Sequence, residues 1–283
     1  MVVPQGQPRV ENIEPRLRAI SVSAGYAATP ILSDVSLDIP NGQLTVLVGP
    51  NGSGKSTLLK TMARILAPQA GSVLLDGKAI HQSRTRDVAR ALGLLPQGPV
   101  PPEGLTVREL VAQGRFPHQG LLRQWNRADA DAVEQALATA RVAEFADRPV
   151  DSLSGGQRQR CWIAMVLAQQ TPLLLLDEPT TFLDLKVQID LMEMLAHLAH
   201  SGGRTLVVVL HDLSLAATYA DVLVMLRDGR VVCAGSAREV FTAARLKAVF
   251  DLEARVTWDA ETDQPICLPI APHAQRRHRT RAA

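Results

Sequence analysis

Apolar residues recur along this chain in two rhythms. Short runs rich in β-branched residues, bounded by turn formers, predict strands at 17–22, 35–39, 44–48, 72–75, 93–95, 173–176, 206–210, 222–226 and 231–233. Longer stretches with apolar positions three or four apart predict helices at 58–66, 107–113, 127–139, 157–169 and 187–199. Asn41-Gly42 predicts a hairpin turn between the strands at 35–39 and 44–48, and Asp76-Gly77 predicts a second turn. Strands alternating with helices imply a mainly parallel sheet covered on both faces. At residue 98 the pattern breaks. A proline- and glycine-rich cluster at 98–104 is followed only by helical segments until 170, which predicts an all-helical insertion within an α/β domain. Residues 1–15 are polar and proline-bearing and are expected to be poorly ordered.

Between the strand at 44–48 and its following helix lie Gly49, Pro50, Asn51, Gly52, Ser53, Gly54, Lys55, Ser56 and Thr57. This is a complete G-x-x-x-x-G-K-[ST] phosphate loop in its strand–turn–helix setting. Its glycines let the backbone turn tightly and present N–H groups to a phosphate, and the helix start adds its positive end. Lys55 can reach the β- and γ-phosphates, and the Ser56 hydroxyl can ligate Mg²⁺. The chain is therefore expected to bind a nucleoside triphosphate.

Three further strands deliver polar groups at their C-terminal ends, where ligands of open α/β sheets gather. The run at 173–176 ends in Asp177 and Glu178. Asp177 suits a partner of Mg²⁺ through water, and Glu178 can polarise an attacking water as general base. His211 follows the strand at 206–210, within reach of a γ-phosphate. Gln97 follows the strand at 93–95, with a Mg²⁺ or water contact open to it. A second anion-binding helix start lies at Leu153, Ser154, Gly155, Gly156 and Gln157, where Ser154 is a good N-cap and the glycines bare backbone N–H groups. One triphosphate is already cradled at 49–57. This second site is therefore decorative, binds another anion, or serves a nucleotide held by a different molecule.

Composition narrows the class. The 283 residues suffice for one substantial core with a smaller subdomain, and 46% hydrophobic with 20% charged residues is ordinary for a globular chain. A formal charge of +2 gives no reason to expect nucleic acid. Arg276, Arg277, Arg279 and Arg281 make a basic tail at 271–283, expected to be a solvated, frayed end. Cys161, Cys233 and Cys267 are far apart, odd in number and without metal-ligand spacing, which favours reduced thiols in a cytoplasm. No apolar run approaches the ~20 residues of a membrane-spanning helix, and no signal peptide is expected.

Taken together, these motifs resemble the ATP-binding cassette (ABC) ATPases. Leu153–Gln157 is identical to that family's signature, and the motifs around it stand in the family's order over roughly residues 17–255. The resemblance implies an α/β fold: a P-loop ATPase core with a mainly parallel sheet, an antiparallel β subdomain and an inserted α-helical subdomain at about 98–170, within a domain at 16–270. It implies a head-to-tail dimer of two copies closing on two ATP with Mg²⁺. The signature residues would contact the γ-phosphate bound by the partner copy. Tyr26 matches the adenine-stacking aromatic, Asp184 the loop that crosses the dimer, and His211 the switch histidine. Gln97 matches the loop that links Mg²⁺ to the helical subdomain, and Glu178 the general base.

Within the family the chain is most similar to importers of iron siderophores, haem and cobalamin. The residues that carry this are 114–120, 151–160, Ala168-Gln169, 180–184, 209–213 and 259–265. Lys186-Val187-Gln188 departs from these importers, which often carry a histidine before the glutamine. The resemblance implies transmembrane permease subunits as partners, with Phe116, Pro117 and His118 near the permease surface. It also implies a periplasmic or surface substrate-binding protein acting through the permease, and a place on the cytoplasmic face of the membrane. A soluble ABC protein acting on DNA would carry long coiled coils, for which the 55 residues between Gln97 and Leu153 leave no room. A ribosomal member would carry two cassettes in one chain. A regulatory protein without turnover would not need Glu178 and His211.

Overall fold

The computed structural model describes residues 14–26, 29–100, 103–120 and 125–270. The expected disorder at 1–15 falls outside these residues but for the last two positions, and the basic tail at 271–283 lies wholly outside them.

In chain order, β1 (Leu17–Tyr26) and β2 (Thr29–Ile39) precede β3 (Leu44–Val48), which feeds α1 (Lys55–Met62), and β4 (Ala70–Leu75) and β5 (Lys78–Ala79) follow. Next come α2 (Thr85–Ala91), β6 (Leu92–Leu95), α3 (Val107–Ala112), α4 (Arg127–Thr139) and α5 (Gly155–Ala168). The chain then alternates through β7 (Leu173–Asp177), α6 (Leu185–His200), β8 (Thr205–Val209), α7 (Leu213–Tyr219), β9 (Val222–Arg227) and β10 (Arg230–Gly235). It closes with α8 (Ala237–Val240), α9 (Ala243–Phe250), β11 (Ala254–Trp258) and β12 (Pro265–Pro269).

A six-stranded sheet runs β10-β9-β3-β8-β7-β6, parallel throughout except for β10 against β9. Alternate residues of its strands feed two separate cores. Leu174, Leu176, Val208 and Val46 pack with α5 and α6 on one face. Leu173, Leu175, Val207 and Leu47 pack with α1 and the antiparallel sheet on the other. That two-sided burial is why these strands are apolar at nearly every position. The antiparallel sheet, β2-β1-β4-β5, lies over α1. Among the described residues, 103–170 hold α3, α4, α5 and short 3₁₀ turns, and their only β pairing is an isolated bridge from Thr106 to Pro149.

One turn was misjudged by local chemistry. Asn41-Gly42 is a turn, with Gly42 at φ 67°, but it joins no hairpin. β2 pairs with β1, and β3 lies in the other sheet, so the turn carries the chain between sheets. Its polar groups serve that join: the Asn41 Oδ1 accepts from the Arg16 N–H at 3.0 Å, and the Gly42 N–H donates to the Thr205 hydroxyl at 2.9 Å. The P-loop helix also differs from expectation, running 55–62 rather than 58–66. It begins inside the motif, and Arg64 at φ 64° ends it, because a left-handed residue breaks the helical ladder.

The three helices at 107–168 are tied by a buried ion pair. The Arg115 and Asp129 side chains are 3% and 0% exposed, and Nε donates to Oδ1 at 3.0 Å. Arg115 Nη1 also donates to the Ala168 carbonyl at 2.7 Å and to Gln170 Oε1 at 3.0 Å, so one guanidinium joins the turn after α3, the start of α4 and the end of α5. Asp129 doubles as the N3 residue of the α4 capping box with Asn126. Removing one partner of such a pair strands the other's charge and typically costs about 3–5 kcal/mol. Arg115→Met should therefore lower the unfolding free energy by that amount, read in a urea titration as a lower midpoint at unchanged m-value. An unchanged midpoint would show that the pair does not hold these helices together.

Candidate active site

Parallel register brings four strand ends to one edge. Leu95 pairs with Leu176, Asp177 with Val209, and Leu47 also with Val209. The residues just beyond these ends, Gln97, Glu178, His211 and the 49–57 loop, therefore converge. Asn51, Gly52, Gly54, Lys55, Ser56, Thr57, Gln97, Glu178 and His211 line one cavity of about 610 Å³.

The loop is rigid by construction. Gly52 and Gly54 have φ of 80° and 100°, a region that L side chains rarely enter. A Cβ on Gly49 would stand 2.3 Å from the Leu226 carbonyl oxygen. The Ser53 N–H donates to the Pro50 carbonyl at 3.1 Å, and Ser53 Oγ is buried without a partner. Lys55 is 5% exposed, and its Nζ donates to the Gly49 and Pro50 carbonyls at 2.9 and 3.1 Å. Burial pulls its pKa below the ordinary lysine value, against the opposing fields of Glu178 and Asp177. A desolvated ammonium satisfied only by carbonyl dipoles is a ready partner for an anion.

Asp177 and Glu178 are adjacent yet meet different partners, because Glu178 takes φ 53° and turns the chain. The Ser56 hydroxyl donates to Asp177 Oδ1 at 2.9 Å, while Oδ2 is buried with no partner. Burial pushes the Asp177 carboxyl above its usual range; the Ser56 hydrogen bond opposes this and the Glu178 charge adds to it. Glu178 is gripped on both oxygens. Gln97 Nε2 donates to Oε2 at 2.6 Å and His211 Nε2 meets Oε1 at 2.6 Å, with Thr181 Oγ1 donating to Oε2 at 3.3 Å. Asp212 next to it caps α7, accepting from Ser214 and Leu215 N–H groups.

The second expected anion site is built as a helix start, in a different place. Ser154 caps α5 in a reciprocal box: its Oγ accepts from the Gln157 N–H at 3.3 Å, and Gln157 Oε1 accepts from the Ser154 N–H at 3.0 Å. A Cβ on Gly155 would meet open space, so the backbone there is bare. Leu153 is buried beneath. Ser154, Gly156 and Gln157 share a second cavity of about 540 Å³ with Asp184, Arg141 and Phe145. Asp184 caps α6, accepting from the Val187 N–H at 2.9 Å. The two cavities have no lining residue in common.

Tyr26 ends β1 opposite Thr29, half exposed, and does not line the first cavity; Ile31 of β2 does. Phe116 is exposed, whereas its neighbours are engaged. Arg86 and Arg90 of α2 donate to the Pro117 carbonyl at 2.9 and 3.0 Å, and His118 Nε2 meets the Gln169 carbonyl at 2.8 Å. All three cysteines are free thiols, and burial pushes that of Cys161 up to about 12.

Sequence reasoning missed Gly229, in the turn between β9 and β10. Its N–H donates to the Ser53 carbonyl at 3.1 Å, and its own carbonyl accepts from the Ser33 N–H at 3.0 Å, so it buttresses the phosphate loop from behind. Its φ is 73°, and a Cβ would fall 1.9 Å from the Ile31 carbonyl oxygen. Only the Asp228-Gly229 turn signal was visible in the sequence. Gly229→Ala should lose at least ~1–3 kcal/mol of stability to strain and should weaken nucleotide binding, although Gly229 does not line the cavity. Wild-type affinity in a nucleotide titration of this variant would free the loop from its buttress.

Comparison with known proteins agrees with this geometry. The ABC transporter family model matches residues 32–181. The Bacillus subtilis (strain 168) protein described as "Probable siderophore transport system ATP-binding protein YusV" is 50% identical over 249 residues, covering 88% of this chain and 90% of that protein. The iron(3+)-hydroxamate import ATP-binding protein FhuC of the same organism is 49% identical over 244 residues, covering 86% and 91%. Among solved structures, dimeric MJ0796, a bacterial ABC transporter cassette, superposes with a TM-score of 0.71 at 29% identity, covering 78% of this chain and 99% of its own. Half of the aligned positions shared across nearly the whole length place this chain in the ABC transporter family, among its ATP-hydrolysing subunits.

Proposed function

We propose that two copies of this chain close head to tail on two Mg²⁺–ATP, and that closure and hydrolysis energise import of a ferric siderophore through a partner permease. The observation that carries the dimer is the separation of the two anion sites. The phosphate loop and the Ser154 helix start line cavities with no residue in common, so within one chain they form two sites and not one. A second copy brings them together. The siderophore cargo rests on the two Bacillus subtilis relatives above. The permease would hold the chain at the cytoplasmic face of the membrane, and a substrate-binding protein would act through that permease. Among the described residues no helix is long and apolar enough to cross a membrane itself.

The residues fit Mg²⁺, a hard cation that takes oxygen ligands. The Ser56 hydroxyl lies on Asp177, the partnerless Oδ2 of Asp177 is buried beside it, and Gln97, donating through Nε2 to Glu178, keeps Oε1 free. Ser56 and Gln97 would ligate directly and Asp177 through water; the ion would neutralise charge on the transferring phosphoryl. Gly49 to Thr57 cradle the phosphates with backbone N–H groups, and Lys55 trades carbonyl dipoles for phosphate oxygens. Tyr26 stacks the adenine. Glu178 takes the proton of the water that attacks the γ-phosphorus as the bond to the ADP oxygen breaks. For that, Gln97 and His211 must release their grip on its oxygens, which frees His211 for the γ-phosphate. Ser154, Gly155, Gly156 and Gln157 of the partner copy complete the shell, and Asp184 crosses the dimer. Phe116 faces the permease.

Removing one such electrostatic contact typically costs about 10²–10³ in rate. Glu178→Gln should keep ATP affinity and lose that much turnover; near-native hydrolysis would exclude Glu178 as the base. Lys55→Ala should lose nucleotide affinity, and unchanged binding would remove it from the phosphate site. Ser154→Arg should bind ATP as the native chain does yet hydrolyse it at least about 10²-fold more slowly. Normal turnover there would defeat the shared site. The cargo is decided by reconstituting the chain with its permease in lipid. A ferric-siderophore-loaded binding protein should stimulate hydrolysis, and stimulation only by haem or cobalamin would replace that cargo while leaving the ATPase standing.

A further inference from the structure

A third cavity, of about 260 Å³, lies where α4 and the end of α5 face the end of α6 and the turn into β8. Its walls are apolar at Leu167 and Leu198 and polar at Gln135, Thr139, Gln170 and Arg204. Among the described residues no carboxylate lines it. Arg204 is the unusual member. Among the described residues its side chain makes no ion pair or hydrogen bond, and its Nη1 is buried without a partner. An arginine carries five donors in a fixed fork, and leaving one buried and unmet is costly. Burial also pulls its pKa below the ordinary arginine value.

The neighbouring groups are set to donate as well. Gln170 Oε1 already accepts from Arg115 Nη1 at 3.0 Å, which fixes the amide and leaves its Nε2 as the end without a partner. Thr139 spends its hydroxyl proton on the Gln135 carbonyl at 2.8 Å, and the Gln135 side-chain amide can present either end to the cavity. An unmet guanidinium and an amide NH₂ in a cavity without acid describe a site for negative charge. The volume is roughly nine times the ~30 Å³ share of one water in the liquid, enough for a small oxyanion with part of its hydration.

We propose that this cavity is a binding site for a small oxyanion, phosphate or a small carboxylate, held by Arg204 and Gln170. It is separate from the nucleotide cavity, with which it shares no residue. Its walls come from two bodies: α4 and α5 of the helical segment, and the α6–β8 turn of the sheet domain. A bound anion would join them. Through Gln170 it would also bear on Arg115, which anchors the loop at 114–120.

The test is isothermal titration of the full chain with inorganic phosphate and, separately, with citrate. The P-loop is first saturated with a non-hydrolysable Mg²⁺–ATP analogue, so that anion binding there is blocked. One anion should bind per chain, with whichever of the two binds tighter naming the source. Arg204→Gln should weaken binding at least about tenfold, the value of one charge-assisted hydrogen bond. Arg204→Lys, which keeps the charge, should retain most of it. Thr139→Trp fills the cavity from its rim and should abolish binding without touching Arg204, which keeps the test usable if Arg204→Gln does not fold. The bound anion should raise the melting temperature of the native chain and not that of Thr139→Trp. No binding of either anion to the native chain, or equal binding by Thr139→Trp or a folded Arg204→Gln, would leave the cavity to water and overturn the site.

Discussion

The register of four parallel strands is the constraint on which the site depends. Strands β6, β7, β8 and β3 end level with one another, so a residue one to three places past each end arrives at the same cavity. Yet the strands are apolar on both faces, so alternation of polar and apolar residues cannot fix their register as it does in a half-exposed sheet. Their ends fix it instead. Asp177 is the one charged residue within the central strands β3, β7 and β8, and it is held by Ser56 from the start of α1. At the opposite edge, Gly42 bonds Thr205, and Asp221 Oδ2 accepts from the Leu44 N–H at 2.7 Å. A slip of one residue would break these bonds and carry Asp177 out of reach of the loop.

The site holds charge that the protein's own groups leave partly unmet. Lys55 and Asp177 are both buried, and burial disfavours the charged form of each. Glu178 holds a left-handed backbone, which costs on the order of 1–3 kcal/mol for a residue other than glycine. These costs are carried by the rest of the fold: the two-sided core, and the Gly229 turn that braces the phosphate loop. They are costs that a phosphate group held at Lys55 would relieve, without rearranging the backbone of the loop.

What was legible in the sequence follows from this. Gly49–Thr57, Asp177, Glu178, Gln97 and His211 could be read because each is tied to an apolar strand, and the strand tells where its end will be. Ser154 could be read because a capping box is local, with its partner three residues on. Gly229 and Ile31 could not, since their roles depend on contacts between β2, the 49–57 loop and the β9–β10 turn, far apart in sequence. The Asn41-Gly42 turn shows the same limit: turn chemistry predicts a reversal but not which sheet the next strand joins. Helices α2, α7 and α9 have seven or eight residues and a weak periodic signal; α1 is as short, but the phosphate loop before it marks its start. The Arg115–Asp129 pair was illegible for the opposite reason, since two charged residues in polar surroundings give no sign that the fold will bury both.

One consequence of this arrangement joins the chemistry to the helical segment. Glu178 is held by Gln97, and Gln97 follows β6, whose other end continues directly from α2. The α2 helix is gripped from the helical segment twice. Gln169 Nε2 donates to the Ala89 carbonyl at 2.5 Å, and Arg86 and Arg90 reach across to the Pro117 carbonyl. His118 closes the circuit on the Gln169 carbonyl. The exposed Phe116 therefore stands on a loop whose backbone is hydrogen-bonded to the same short helix and strand that position Gln97. Contacts of this kind transmit nothing unless the element has two arrangements that both ends bias. Gln97 would supply them if a cation drew it off Glu178; that shift would act on β6 and α2, and through them on the loop that carries Phe116.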